Sequence, residues 1–416
     1  MQMLNWLNRF NICAFLDNHL YQTPAHEVEC LAAAGCLSSI TSSAGTALLK
    51  LDEFHKTHSD WIFGHLAYDL KNEIEQLQSA NPDYLYFPDL FFFQPDIVIS
   101  MSEKFISIGV HNDLHDSIFL EINTCPSWIS PAKNPQINIT SRFTKESYID
   151  SVNRIRNHIL VGDCYEVNFC QEFFANEAVI DPIAVYHALA TISPNPFAAF
   201  YRINELYVLC GSPERYLQKK KNRLMSQPIK GTLARQHKNE GSDIAERKLL
   251  IESAKDKAEN VMVVDLVRND LARVSEKGSV KVSELFGVYT FPQVHQMIST
   301  ITGIVQADKG LKDILSATFP MGSMTGAPKK RVMEIIEQYE KTKRSIFSGA
   351  MGYITPSGDF DFNVVIRSIF YNASKKYLSF QAGSAITFNS NSDEEYEESL
   401  LKAEVIKKVL ANANTS

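Results

Sequence analysis

Gly349-Ala350-Met351-Gly352-Tyr353-Ile354-Thr355, followed by Asp361 to Tyr371 and Tyr377 to Ala382, reads as three successive strands. Short turns rich in Gly, Asp, Ser and Asn separate them, so the three close as an antiparallel set. Asp393 to Ala411 then reads as a helix. Upstream, Ala198 to Arg202 and Glu205 to Gly211 predict paired strands, continued by Arg223 to Met225. Helical patterns run over Thr144 to Leu160, Glu246 to Arg273 and Lys329 to Tyr339. Strand runs and helix runs are segregated, which predicts an α+β fold with antiparallel sheets rather than a doubly wound one.

Several local signals sharpen these elements. Tyr148, Val152, Ile155 and Ile159 share one face of the first helix, which Gly162-Asp163 ends. Cys164 to Phe174 resumes as a strand. Asp181-Pro182 opens another helix, with Asp as N-cap and Pro in the first turn. In the first 135 residues, Leu90 to Phe93, Phe105 to Val110 and Ser117 to Ile122 read as strands. Trp128 to Asn138 holds two prolines and no periodicity, and reads as a connector. The expected division is an N-terminal region, 1–135, and a catalytic region, 140–412.

The 416 residues carry a net charge of −7. No basic field is available to collect phosphates, so nucleic acid is not an expected partner. Seven cysteines without a CxxC pair argue against a disulfide framework and suit a reducing compartment. The opening residues show no basic segment followed by an apolar stretch. No run approaches the ~20 apolar residues of a membrane span. The expectation is a cytoplasmic protein with no membrane partner. P-loop, GxSxG, HExxH and GxGxxG-plus-acid patterns are absent.

Five segments carry groups suited to chemistry. Pro228-Ile229-Lys230-Gly231-Thr232 projects one amine from a turn that Gly231 makes sharp. Such a lysine is either a surface cation or, if buried, a nucleophile. Asp256 and Glu259 lie three apart on a predicted helix, as do Glu395 and Glu398 on the last one. Each pair shares a helix face and offers hard oxygen ligands, although acids also favour helix N-termini for electrostatic reasons. Gly322-Ser323-Met324-Thr325-Gly326-Ala327-Pro328-Lys329 leads into a helix and exposes N–H groups to anions. Arg367 sits in the apolar run Val364 to Ile369 and needs either an internal acid or a bound carboxylate. His295 follows Phe291-Pro292-Gln293-Val294; its chemistry suits either proton transfer or a structural hydrogen bond.

Taken in order, these segments resemble the chorismate-utilising enzyme family. Gly162-Asp163-Cys164-Tyr165-Glu166-Val167-Asn168, Gly211-Ser212-Pro213-Glu214-Arg215 and Ala258 to Asp270 carry the resemblance with the lysine turn and Gly322 to Lys329. Gly349 to Tyr353, Ile366-Arg367 and Glu395 to Glu398 complete it. The likeness spans roughly residues 140 to 410. It implies two antiparallel sheets packed as a sandwich with helices outside. Members that aminate chorismate without aromatising it carry Lys where this chain has Lys230, whereas anthranilate-forming members carry a small residue. Water-adding members place a base lysine where this chain has Glu166.

The resemblance further implies a set of roles. Mg²⁺ would be held by Glu259, Glu395 and Glu398, with Asp256 nearby, and would meet the ring carboxylate of chorismate. Arg367 and Tyr353, with N–H groups near Gly383 and Ala385, would take the enolpyruvyl carboxylate. Gly231, Thr232 and Ser323 would line the ring. Glu214 would protonate the departing 4-hydroxyl while Lys230, its pKa depressed, attacks C2. His295 would orient the ring or move a proton. Ammonia from a separate glutamine amidotransferase subunit would then give 4-amino-4-deoxychorismate. An anthranilate-forming enzyme and a non-catalytic chorismate-binding subunit are the alternatives. The chain departs from the family at Gly383-Ser384-Ala385, where Gly-Ala-Gly or Gly-Gly-Gly is common, and at Asp256, commonly Glu.

Overall fold

A computed structural model of the chain describes residues 1–21, 29–111, 113–127, 137–235, 240–291 and 294–412. The connector expected from Trp128 to Asn138 lies, over 128–136, outside them.

All strand pairings among the described residues are antiparallel and build two sheets. The first runs from Gly326–Ala327 through Glu166–Ala175, Tyr377–Ile386, Ser368–Asn372, Leu206–Ser212 and Phe197–Ile203. It continues through Ile12–Asp17, Cys30–Ala34 and Ile97–Met101 to Ile106–Val110. The second runs from Ile229–Ala234 through Val294–Ile304, Arg223–Gln227, Arg215–Lys220 and Phe360–Val364. It continues through Ala350–Ile354, Ile62–Leu66 and Leu90–Gln94 to Ser38–Ser42. Strands from the first 135 residues therefore extend both sheets.

The buried core between the sheets draws Ala33, Tyr201, Val208 and Phe370 from one and Phe63, Phe92, Leu217 and Phe362 from the other. Helices Gln2–Leu7, His115–Thr124, Pro182–Ile192 and Ser392–Asn412 cover the far face of the first sheet through a second cluster. The α+β sandwich with outer helices is the observed architecture. No helix among the described residues is long and apolar enough to cross a membrane.

Local signals explain the regular parts. Thr144 caps Lys145–Leu160 by accepting from Ser147 N, and Tyr148, Val152 and Ile155 are the buried face. Asp181 accepts from Ile183 N and Ala184 N at the start of Pro182–Ile192. Lys329–Tyr339 is helical as expected.

Four expectations are corrected. Ser117 to Ile122 lies in a helix, His115–Thr124, because Ile118 and Ile122 pack inward one turn apart while Phe119 and Leu120 face out. Glu246 to Arg273 is two helices, Glu240–Glu252 and Ala254–Ala272, broken where Ser253 caps the second by accepting from Asp256 N. Asp361 to Tyr371 is two strands, Phe360–Val364 and Ser368–Asn372, and they belong to different sheets. The lysine turn is a bulged strand, Ile229–Ala234, whose register against Val294–Ile304 slips between Ile229 and Thr232.

Candidate active site

Lys230, Ser323 and Arg367 all act on Glu214, near the places where the chain crosses between the two sheets, over 212–215 and 364–368. Gly231 makes the lysine bulge, with φ of +88°. A Cβ there would stand 3.0 Å from the Asp256 Cβ, so the bulge lies directly against the helix Ala254–Ala272. Thr232, next along, is exposed.

Arg367 lies at the crossing between Phe360–Val364 and Ser368–Asn372, at φ of +51°, rather than inside a strand. Non-glycine residues in this left-handed region carry strain that the surroundings must hold in place. Among the described residues no ion pair or side-chain hydrogen bond ties its guanidinium. Burial lowers its pKa, and the charge of Glu214 opposes that. Glu214 is buried, with Ser323 Oγ donating to its Oε1 at 2.6 Å. Burial pushes its carboxyl up to about 7, against the opposing pull of Ser323, Lys230 and Arg367. A carboxyl that keeps its proton near neutrality suits a general acid.

Burial alone would depress the Lys230 amine. Glu166, Glu259 and Glu214 more than offset this, and its pKa stands above the ordinary lysine value. The expected depressed lysine is therefore corrected for the chain by itself. The Lys230 Nζ donates to Glu166 Oε1 at 2.8 Å.

The backbone N–H groups expected to act as donors lie on the strand Tyr377–Ile386. Gly383 stands opposite Cys170 and Ala385 opposite Asn168. Cys170 N donates to Glu340 and Asn168 N to the Thr325 carbonyl. These are thus non-hydrogen-bonded pairs, and the N–H groups of Gly383 and Ala385 point to the other edge. The neighbouring strand on that edge pairs only over Tyr377 to Ser379. Gly383 is required for packing: a Cβ would lie 2.0 Å from the Phe169 carbonyl.

The four predicted metal ligands all act on a single amine. Glu259, Glu395, Glu398 and Asp256 all raise the pKa of Lys255, against the effect of its burial. Glu395 is buried and accepts from Ser384 Oγ. Burial raises the Glu259 carboxyl to about 6. At Glu398, Lys402, Lys255 and Lys230 overcome burial and lower it. An all-carboxylate set around one cation suits a hard metal ion in its chemistry. Among the described residues, the three groups whose ligand atoms lie within 4.8 Å of one another are instead Asp243, Glu246 and His295. There Asp243 already takes a two-point ion pair from Arg235, at 2.8 and 2.9 Å, so a metal would compete with a guanidinium.

Tyr353 and His295 each sit among neighbours of their own. Tyr353 packs its ring on Trp61 and Phe63, at 5.5 and 6.0 Å, and lines a cavity of about 530 Å³ with Trp61, Pro196 and Met351. His295 is buried on the strand Val294–Ile304, with Nε2 3.0 Å from Asp243 Oδ1 and Nδ1 3.0 Å from Thr290 Oγ1. No hydrogen bond or ion pair links it to Lys230, Glu214 or Arg367 among the described residues.

Sequence reasoning missed the support under Ser323. Arg344 is buried, pairs with Glu340 and donates to the carbonyls of Met324 and Asn168. Asn168 in turn donates to the Ser323 carbonyl at 3.2 Å. The available signal was an arginine four residues after a glutamate beside a glycine-rich loop.

A family model described as chorismate binding enzyme matches residues 15–408. Aminodeoxychorismate synthase component 1 of Escherichia coli (strain K12) is 34% identical over 356 residues, 83% of this chain and 76% of that protein. Its namesake from Bacillus subtilis (strain 168) is 32% identical over 361 residues, 83% and 76% of the two chains. The crystal structure of anthranilate synthase component I from Streptococcus pneumoniae TIGR4 superposes with a TM-score of 0.77 at 25% identity. That match covers 90% of this chain and 91% of the other.

Proposed function

The chain belongs to the chorismate binding enzyme family, and on that premise we propose that it aminates chorismate at C4 to give 4-amino-4-deoxychorismate, a precursor of p-aminobenzoate and folate. The observation that carries this reading is the cluster of Lys230, Glu214 and Arg367, in which Glu214 is buried and the two cations are half-buried. The amine of Lys230 and the guanidinium of Arg367, which has no ion pair among the described residues, both act on a carboxyl held near neutrality. Anthranilate formation is the second reading, favoured by the structural match to an anthranilate synthase. Lys230, where anthranilate-forming members carry a small residue, weighs against it.

Each residue has a role that its surroundings suit. The Arg367 guanidinium and the open N–H groups of Gly383 and Ala385 take the enolpyruvyl carboxylate. Ser323 and Gly231 flank the ring. Glu214 gives its proton to the departing 4-hydroxyl, which leaves as water. Lys230 attacks C2 as that bond breaks, and ammonia at C4 then displaces the lysine. Glu259, Glu395 and Glu398, with Asp256 beside them, would hold Mg²⁺. That ion supplies positive charge for the ring carboxylate. His295 acts through its hydrogen bonds to Asp243 and Thr290, orienting the strand beside the lysine.

Ammonia is to come from a separate glutamine amidotransferase subunit, a reading supported by relatives named as component 1. The proposal includes a cytoplasmic location, where seven free thiols persist.

The test incubates the pure chain with chorismate, magnesium and ammonium, and reads products by mass. An aminated, non-aromatic product with no pyruvate is expected. Anthranilate with an equivalent of pyruvate overturns the reading.

A further inference from the structure

We propose that Glu166 is a catalytic residue of this chain: it accepts the proton that frees the Lys230 amine for attack, and returns it when the lysine departs. The inference rests on the reading that Lys230 is the nucleophile.

The geometry leaves few other candidates. Glu166 Oε1 is 2.8 Å from Lys230 Nζ, and the carboxylate is buried. Lys230 is its one side-chain hydrogen-bond partner among the described residues. No other carboxylate among them lies within 4.0 Å of the amine. Glu214, Glu259 and Glu398 face the lysine from farther off, as does the buried Cys170 thiol. Glu214 is bound to Ser323 and serves as the acid.

Glu166 is also held firmly. Its strand pairs with Gly326–Ala327 on one side and Tyr377–Ile386 on the other. A Cβ on Gly326 would lie 2.0 Å from the Glu166 carbonyl, so the two strands are in close contact.

The proton count closes. The Lys230 ammonium passes one proton to Glu166 and becomes a neutral amine. Its lone pair forms the bond to C2, electrons shift through the ring diene, and the C4–O bond breaks. Glu214 protonates that oxygen, which leaves as water. Ammonia then bonds to C4, the diene electrons return, and the C2–N bond breaks to release a neutral lysine. Glu166 returns its proton to that lysine, and Glu214 recovers one from the new C4 ammonium. Both acids and the lysine end as they began.

The experiment mixes the full chain with chorismate and magnesium, omits ammonium, quenches rapidly and reads the protein–substrate adduct by intact mass. Glu166→Gln is expected to slow adduct formation by about a hundredfold near pH 7. The ratio of variant to wild-type rate should then climb with pH, since free hydroxide replaces the missing base while the demand on Glu214 is common to both. Glu166→Asp, shorter by one methylene, should recover part of the rate; it is the deciding arm if the glutamine variant fails to fold. Adduct formation by Glu166→Gln or Glu166→Asp at or above the wild-type rate overturns the proposal, because Glu166 would then be only a charge partner. A wild-type chain that aminates chorismate but shows no adduct, or a Lys230→Ala chain that still forms one, overturns the nucleophile reading itself and the proposal with it.

Discussion

Ser323 donates from Oγ to Glu214 Oε1 at 2.6 Å, and that contact tempers a buried acid whose pKa burial has raised to about 7. A general acid must be protonated, so kcat/KM should hold below about pH 7 and fall above it. Ser323→Ala removes a donor that favours the ionised form, so the alkaline limb should move upward. A pH–rate profile in which that limb stays fixed would remove Glu214 from the acid's role.

The same shift has a consequence for stability. A carboxyl that keeps its proton longer in the folded state stabilises fully below its unfolded pKa and loses that effect as pH rises through about 7. Glu214→Gln should therefore melt higher than the wild type above that pH, by a difference on the order of 3 kcal/mol. Its activity should fall by about a hundredfold or more. Paired thermal melts at pH 6 and pH 8, each compared with wild type, check the sign.

Gly231→Ala should be costly twice. The φ of +88° disfavours any side chain, by about 1–2 kcal/mol, and the added Cβ would press on Asp256. Denaturant midpoints should fall, and kcat should fall further than stability alone explains, because the bulge aims Lys230.

Arg367→Met should raise the KM for chorismate by about a hundredfold with a smaller change in kcat, as expected when a binding interaction rather than a transition-state one is lost. Both residues meet the same backbone strain at φ of +51°, so the comparison isolates the guanidinium. Steady-state kinetics with varied chorismate make the split.

Magnesium should be needed, and removing it with a chelator should abolish turnover reversibly. Glu395→Gln and Glu398→Gln should each raise the magnesium concentration that gives half-maximal activity. Asp243→Asn should leave that concentration unchanged, since Asp243 is engaged by Arg235 and His295. The reverse pattern in magnesium titrations would move the metal to the histidine cluster.

The legible parts of this chain are those whose signals are local. The cap at Asp181 and the inward stripe of Lys145–Leu160 are each decided within a few residues. Ser117 to Ile122 was ambiguous because Ile118 and Ile122 fit a period of two as well as one helical turn, and only packing against the sheet separates the two. The run through Arg367 looked continuous because every neighbour is apolar; the crossing between sheets lies in its φ, which composition does not report. Lys230 and Glu166 are 64 residues apart, and their contact arises only when both strands are in place. The neighbours of Tyr353 were equally out of reach of the sequence: its ring packs on Trp61 and Phe63, at the start of a strand almost 300 residues earlier.

The account stands on Lys230 as the group that makes amination at C4 possible. The direct measurement is the rate at which Lys230→Ala converts chorismate to the aminated product with saturating ammonium, and without any added primary amine. A loss of about a hundredfold or more, with chorismate still protecting the variant in a thermal melt, is the predicted result. Amination at the wild-type rate would contradict the account.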